Sequence, residues 1–268
     1  MSRDITTFVD DDGTGYMISA ANENADLHVY RLTPDYTAVD AQVQKLWPGN
    51  WREAPAMFKR NGVYFLLTSG ATGWAPNQQK YATATSITGA WSGLKDIGDS
   101  TTYRTQTAYV LPVQGTNGTG YLYLGDRWGN SMGATVNDSQ CVWLPLKFPT
   151  RTTMTMDYSP QLTVDTATGT VRGMNVIWET LTARHSGRCA NVADFDTRDA
   201  ARLVQWGCSP EINEQFWFKK TGTGNVQVMA RHSGKCLDVT NQATTDGAPL
   251  EQWTCGTGTN QHWKRTTV

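Results

Sequence analysis

The last third of this 268-residue chain is written twice. Ala183-Arg184-His185-Ser186-Gly187 returns as Ala230-Arg231-His232-Ser233-Gly234, an offset of 230 − 183 = 47. Cys189, Trp206 and Cys208 return as Cys236, Trp253 and Cys255 at the same offset, and Gln215-Phe216-Trp217 returns as Gln261-His262-Trp263 at 261 − 215 = 46. A unit this short cannot bury its apolar face alone, so copies must pack on one another. Within each copy the cysteines are 208 − 189 = 19 and 255 − 236 = 19 residues apart. Equal spacing inside a repeat reads as a disulfide framework and an oxidising compartment. Each bridge would close a loop worth about 3 kcal/mol in the chain-entropy view. A zinc knuckle needs its cysteines two to four residues apart, which this spacing does not offer. The fifth cysteine, Cys141, lies outside the repeats and reads as a buried thiol or one whose partner is missing.

Charge narrows the function classes. There are 23 Lys+Arg against 24 Asp+Glu, a net charge of −1. That excludes nucleic-acid binding through bulk positive charge and an acidic disordered tail. No apolar run approaches the ~18 residues of a membrane span. Met1 is followed by Ser2-Arg3-Asp4 and a strand-like run, Ile5 to Val9, with no charged leader and no apolar leader core. For a chain with secreted-type cysteines, this leads us to expect that N-terminal sequence is missing.

Residues 1 to about 175 show no long amphipathic helical pattern. Short β-rich runs recur instead, among them Thr6–Val9, Tyr16–Ala20, Leu27–Leu32, Val63–Ser69, Tyr109–Val113 and Tyr121–Gly125. Asp12-Gly13, Asn61-Gly62 and Asn117-Gly118 separate them and supply the positive φ of tight hairpins. The turns recur at 62 − 13 = 49 and 118 − 62 = 56 residues. Several strands per unit at this period point to β-propeller blades, with a β-sandwich as the alternative.

Counting back nine residues from Gly13 gives Asp4, and from Gly62 gives Glu53; Gln106 lies twelve before Gly118, where the hairpin is longer. These positions head the first strand of successive units and would converge near one mouth of the axis. Two carboxylates and an amide there suit glycoside hydrolysis, which needs a protonated acid and a group holding water. The same residues also read as strand starts capped by turn amides. Glu53 sits in Trp51-Arg52-Glu53-Ala54-Pro55-Ala56, where apolar neighbours would keep its carboxyl protonated. Trp74 and Trp128 follow the second strands of their units and could stack on a sugar ring or pack between blades, while Arg127 and Asp126 could bond hydroxyls.

Taken together, Ser2-Arg3-Asp4, Phe8-Val9-Asp10-Asp11-Asp12-Gly13, Arg52-Glu53-Ala54-Pro55-Ala56, Thr72-Gly73-Trp74, Gln106-Thr107-Ala108-Tyr109-Val110-Leu111-Pro112 and Gly125-Asp126-Arg127-Trp128 resemble glycoside hydrolase family 43, most of all its exo-β-1,3-galactanase branch. The resemblance covers about residues 1–172. It implies a five-bladed propeller that acts with inversion, with Glu53 as general acid, Asp4 tuning and orienting it, and Gln106 positioning water. Asn24 and Thr72 match positions that contact the terminal galactose. No cofactor is implied beyond a structural calcium near the axis, for which no ligand set is identified. The blade that should precede Asp4 is absent, so a partial ring is expected and the activity of this chain by itself is open.

The duplicated region resembles the ricin-B-type β-trefoil, the family 13 carbohydrate-binding module, with two of its three repeats. The resemblance implies sugar binding by Asp238, Trp253 and Asn260, with Gln261 supporting the pocket. The first copy offers Asn191 for Asp238 and Glu214 for Asn260, a weakened site. The His-Ser-Gly segments read as structural turns, and Trp217 and Trp263 as core.

The expected architecture is therefore all-β, a partial propeller over 1–175, a linker from Arg172 to about Glu179, and a partial trefoil over 180–268. The expected protein is a secreted, monomeric inverting glycosidase. It would release galactose from β-1,3-galactan or arabinogalactan, with neither nucleic acid nor membrane as partner. A galactan-binding lectin-like fragment and a family 43 arabinofuranosidase or xylosidase are the alternatives; Thr72-Gly73-Trp74 and Gln106 weigh against the latter.

Overall fold

The structure is a computed structural model that describes residues 3–132, 135–222 and 224–266; Met1 and Ser2 lie outside them. Two compact units divide the chain, Met1–Ser131 with Gln140–Met174, and Met132–Ser139 with Asn175–Val268.

The first unit holds three four-stranded antiparallel meanders. The first runs β1 (Ile5–Val9), β2 (Gly15–Ala21), β3 (Asp26–Leu32) and β4 (Val39–Leu46). The second runs β5 (Arg52–Arg60), β6 (Val63–Gly70), β7 (Lys80–Ala84) and β8 (Lys95–Asp96). The third runs β9 (Gln106–Gly115), β10 (Gly118–Arg127), β11 (Gln140–Lys147) and β12 (Thr155–Met156). Strands adjacent in sequence are adjacent in space, as in propeller blades, and the leading strands pack β1 on β5 and β5 on β9. The three turns foreseen at Gly13, Gly62 and Gly118 each join the first two strands of a meander.

Strand β6 explains the packing. Its period-2 alternation sends Val63, Phe65 and Leu67 into one core with Val110, Tyr123 and Leu144, and Tyr64 and Leu66 into another with Ile18, Leu27 and Val29. A blade buried on both faces reads as an unbroken apolar run, and each fully buried large side chain contributes about 1.5–3 kcal/mol. Strand β4 escapes the sequence reading because Asp40, Gln42, Gln44 and Lys45 give it the polar character of a sheet edge.

A separate hairpin of β13 (Leu162–Asp165) and β14 (Thr170–Gly173) lies against the β9–β10 turn. Thr116 and Asn117 donate backbone N–H groups to the Ala167 and Thr168 carbonyls. A Cβ at Gly115 would stand 2.0 Å from the Gly169 nitrogen, and Gly169 itself has φ of 74°, so both positions require glycine. Cys141, on β11, is an exposed free thiol. Of the two readings of Cys141, this removes the buried thiol, because the alternation of β11 places Val142 and Leu144 inward instead.

The second unit is a six-stranded sheet of β15 (Cys189–Val192), β16 (Ala201–Trp206), β17 (Phe216–Lys220), β18 (Val226–Ala230), β19 (Cys236–Val239) and β20 (Leu250–Trp253), ordered β15-β16-β20-β19-β18-β17. The corresponding strands of the two copies, β16 and β20, pair directly at Ala201↔Gln252 and Arg202↔Glu251. Disulfides join Cys189 to Cys208 and Cys236 to Cys255. Each His-Ser-Gly turn is fastened alike, Ser186 Oγ donating to Gln205 Oε1 and Ser233 Oγ to Gln252 Oε1, at the repeat offset of 252 − 205 = 47. Val192, Phe216, Val228 and Leu237 form the core, with Trp263 packed on its margin.

Candidate active site and sugar-binding pocket

Glu53 opens β5 opposite Ser69, and the ladder slips just beyond it. Between Glu53 and Ala56 the strand carries one more residue than β6 does, a β-bulge in which Ala54 takes a left-handed φ of 49°. The bulge frees the Ala54 N–H from the ladder, and Asp4 Oδ2 accepts it at 3.0 Å. Asp4 thereby sits beside Glu53 from the head of the neighbouring strand. β9 carries a bulge as well: Tyr109 pairs Leu124 while Thr107 pairs Gly125, which leaves Ala108 as the extra residue two positions past Gln106.

The Glu53 carboxylate is half-buried and holds one amide on each oxygen. Asn24 Nδ2 donates to Oε2 at 2.7 Å and Gln106 Nε2 to Oε1 at 3.1 Å. Asn24 reaches this place from a tight β2–β3 turn whose residues Asn22, Glu23 and Asn24 all have positive φ. Gln106 Nε2 also donates to Ser69 Oγ at 2.9 Å, and Gln106 Oε1 accepts the Trp128 indole N–H at 3.0 Å. Burial pushes the Glu53 carboxyl above its ordinary range, and the Asp4 charge pushes the same way. The Gln106 amide and the Arg3 and Arg52 charges pull it back without cancelling the rise. A carboxyl raised in this way keeps its proton to higher pH than a free glutamate does. Asp126, opposite Gln106 on β10, is also raised by burial.

The structure thus gathers Asp4, Asn24, Glu53, Gln106 and Trp128 in one place. Trp74 joins them through its ring, edge-on to Trp128 at 5.3 Å between centroids, and is half exposed. Thr72 engages its own loop, donating to the Ala75 carbonyl at 2.6 Å and accepting from Asn77 Nδ2 at 2.8 Å. Arg127 is a correction: its side chain is 2% exposed, donates to the Tyr103 carbonyl at 3.0 Å and lies over the Tyr158 ring. Strand parity sends it to the Tyr123 face, so it supports packing rather than meeting a sugar. Ser69 escaped the sequence reading; its pairing opposite Glu53 across a hairpin was the available signal. Among the described residues no group of three or more His, Cys, Asp or Glu side chains stands together where a metal ion could be held.

In the second unit, Asp238, Trp253, Asn260 and Gln261 line one hollow. Asp238 is 4% exposed, and its Oδ2 accepts Asn260 Nδ2 and Gln261 Nε2, each at 2.8 Å. Gln261 Oε1 in turn accepts the Gly256 N–H, and Trp253 remains 44% exposed as a flat face beside them. The first copy reproduces this network, but in a register different from the one read in sequence. Asn213 donates to Asn191 Oδ1, Asn191 donates to Glu214 Oε1, and Glu214 Oε2 accepts the Ser209 N–H. Asn213 therefore matches Asn260 and Glu214 matches Gln261, at 260 − 213 = 47 and 261 − 214 = 47. Amide and carboxylate have exchanged places, and the first-copy hollow, flanked by Trp206, keeps a complete polar floor.

Residues 2–132 match the model of glycosyl hydrolases family 43, and the ricin-type β-trefoil lectin domain-like model matches over 170–253 and again over 212–268. No curated protein matches the chain. Among solved structures, an exo-β-1,3-galactanase from Clostridium thermocellum is 45% identical over 100% of this chain and 59% of its own, with a TM-score of 0.65. An exo-β-1,3-galactanase from Phanerochaete chrysosporium, solved with galactose, is 27% identical over 98% of this chain and 61% of its own, with a TM-score of 0.64. A family 43 β-1,3-galactosidase solved with galactodeoxynojirimycin is 34% identical over 59% of this chain and 46% of its own, with a TM-score of 0.55. The chain thus spans about three-fifths of the length of the Clostridium thermocellum protein. Residues 2–132 belong to glycosyl hydrolase family 43, and residues 170–268 form a ricin-type β-trefoil lectin-like region.

Proposed function

We propose that this chain carries the acid side of an exo-acting galactan 1,3-β-galactosidase, joined to a sugar-binding unit. The observation that carries the proposal is the Glu53 carboxyl, raised by burial and by Asp4, with Asn24 on one oxygen and Gln106 on the other. Glu53 gives its proton to the departing glycosidic oxygen. Asp4 fixes the Ala54 bulge and keeps Glu53 protonated until that moment. Gln106 Oε1 has a second lone pair beside the indole bond and holds the attacking water by accepting a hydrogen bond from it, and the proton that the water sheds on adding passes to solvent. Water arriving opposite the leaving oxygen inverts the anomeric carbon. The galactose-related names of the similar structures support a galactan substrate. The Asp238 hollow retains the chain on the polysaccharide and raises local concentration without taking part in chemistry. Two disulfides fit secretion.

The test compares wild-type chain and Glu53→Gln on β-1,3-galactan, following galactose release and retention on the polymer. Glu53→Gln should lose at least about 10²-fold in release, the smaller end of what a positioned acid contributes, and keep its retention. Unchanged release overturns the assignment of Glu53. Retention with no release from wild type leaves a lectin-like fragment as the answer.

A further inference from the structure

The tip of Gln106 bears a donor and an acceptor that a half-turn exchanges, and the surrounding groups decide which way it points. An indole N–H can only donate. With Trp128 Nε1 3.0 Å away, the atom facing it must be Oε1, which turns Nε2 to Glu53 Oε1 at 3.1 Å and Ser69 Oγ at 2.9 Å. The reversed amide would set N–H against N–H at the indole and take away the N–H that Glu53 Oε1 accepts. Trp128 is itself well held: its carbonyl accepts the Ser131 N–H at 3.0 Å and Ser131 Oγ at 2.8 Å, and its ring meets Trp74 edge-on. Arg104 donates to the Ser131 carbonyl and ties that turn down.

We propose that Trp128 is a positioning residue, whose indole N–H locks the Gln106 amide so that its N–H faces the Glu53 acid and its oxygen faces the water. The effect on the water rests on the hydrolase reading above; the effect on Glu53 does not. A donated N–H favours the ionised carboxylate, so the locked amide opposes burial and Asp4 and acts with Arg3 and Arg52. Asp126 pairs with Gln106 across the ladder from β10 and is the charged residue at that register position. Releasing the lock lets the amide turn its oxygen to Glu53, which then holds its proton more tightly and places water less well. Trp128 acts through Gln106 and need not touch sugar to do so.

The experiment uses the full chain with ¹³C-labelled glutamate carboxyls, the Glu53 signal being identified by its loss in Glu53→Gln. Trp128→Phe keeps an aromatic ring against Trp74 and removes the N–H. A second variant carries β-(3-benzothienyl)alanine at position 128, which keeps the indole shape with sulfur in place of N–H, so a folding failure of the phenylalanine variant does not end the test. Both should move the Glu53 titration midpoint upward. In Gln106→Ala the midpoint also rises, and adding Trp128→Phe to it should move the midpoint no further. On β-1,3-galactan the alkaline limb of the rate profile should shift upward with the midpoint, and kcat should fall about tenfold, the loss of one hydrogen bond, with KM little changed. An unmoved midpoint in the benzothienyl variant, or a full further shift on top of Gln106→Ala, overturns the proposal. A moved midpoint in a chain that releases no galactose leaves the lock standing and refutes the hydrolase reading instead.

Discussion

Asp4 does two things with one carboxylate, and two substitutions separate them. Its Oδ2 accepts the Ala54 N–H that the β5 bulge takes out of the ladder, and its charge raises Glu53. Asp4→Asn removes the charge but keeps an oxygen for the bulge. Asp4→Ala removes both and leaves the N–H of buried Ala54 without its acceptor. An orphaned buried donor costs about 1–3 kcal/mol; because Asp4 is exposed and water can reach its place, the lower half of that range applies. Asp4→Ala should therefore be about 1–2 kcal/mol less stable than wild type in denaturant melts, and Asp4→Asn close to wild type. Both should lower the Glu53 pKa, since a cause of its rise is gone. The alkaline limb of galactose release from β-1,3-galactan then moves to lower pH. At neutral pH kcat/KM should fall by about one to two powers of ten, no more than the lower end of the 10²–10⁴ that a positioned acid contributes, because the acid itself stays in place. The stability sign follows from the same shift. A raised carboxyl adds most to stability below the ordinary glutamate range, and that stability is lost as pH rises through the folded-state pKa. Asp4→Asn should shrink this loss. Equal stabilities for the two variants, with an unmoved limb, would refute the reasoning.

Three further outcomes can be checked. Opening Cys236–Cys255 by Cys236→Ser with Cys255→Ser removes a closure of 19 residues and should cost about 3 kcal/mol in denaturant melts of the oxidised chain. Asp238→Ala leaves the Asn260 and Gln261 amides without their shared acceptor and should weaken retention on galactan at least tenfold in affinity electrophoresis; unchanged retention would move sugar binding to the Asn191 hollow. Gly115→Ala drives a methyl into the Gly169 backbone and should lower the melting temperature clearly, whereas Ala at Gly93, with nothing within 4 Å, should not.

The spacing of turn glycines was enough to read the blades and to bring Asp4, Glu53 and Gln106 to one place, because hairpin length ties each strand head to its turn. The bulges were not legible. Ala54 adopts a left-handed φ without being glycine or asparagine, so no residue type announces it. Trp128 read as a stacking platform or as packing between blades, because composition shows a ring and hides which way its N–H points. Arg127 read as a sugar contact because strand parity was not followed to its end, where the side chain turns into the core. In the repeats, the Gln-x-Trp match at offset 46 drew Glu214 onto Asn260, while the hydrogen bonds follow offset 47 and set it on Gln261.

The two bulges carry one more implication. Each falls close behind a site residue, directly after Glu53 in β5 and two residues past Gln106 in β9. An extra residue resets inside–outside alternation, so the mouth of a blade and its trunk keep separate phases. Drift in the hydrophobic trunk can then proceed without re-aiming the chemistry, and the mouth can be rewritten for another sugar without disturbing what lies beneath.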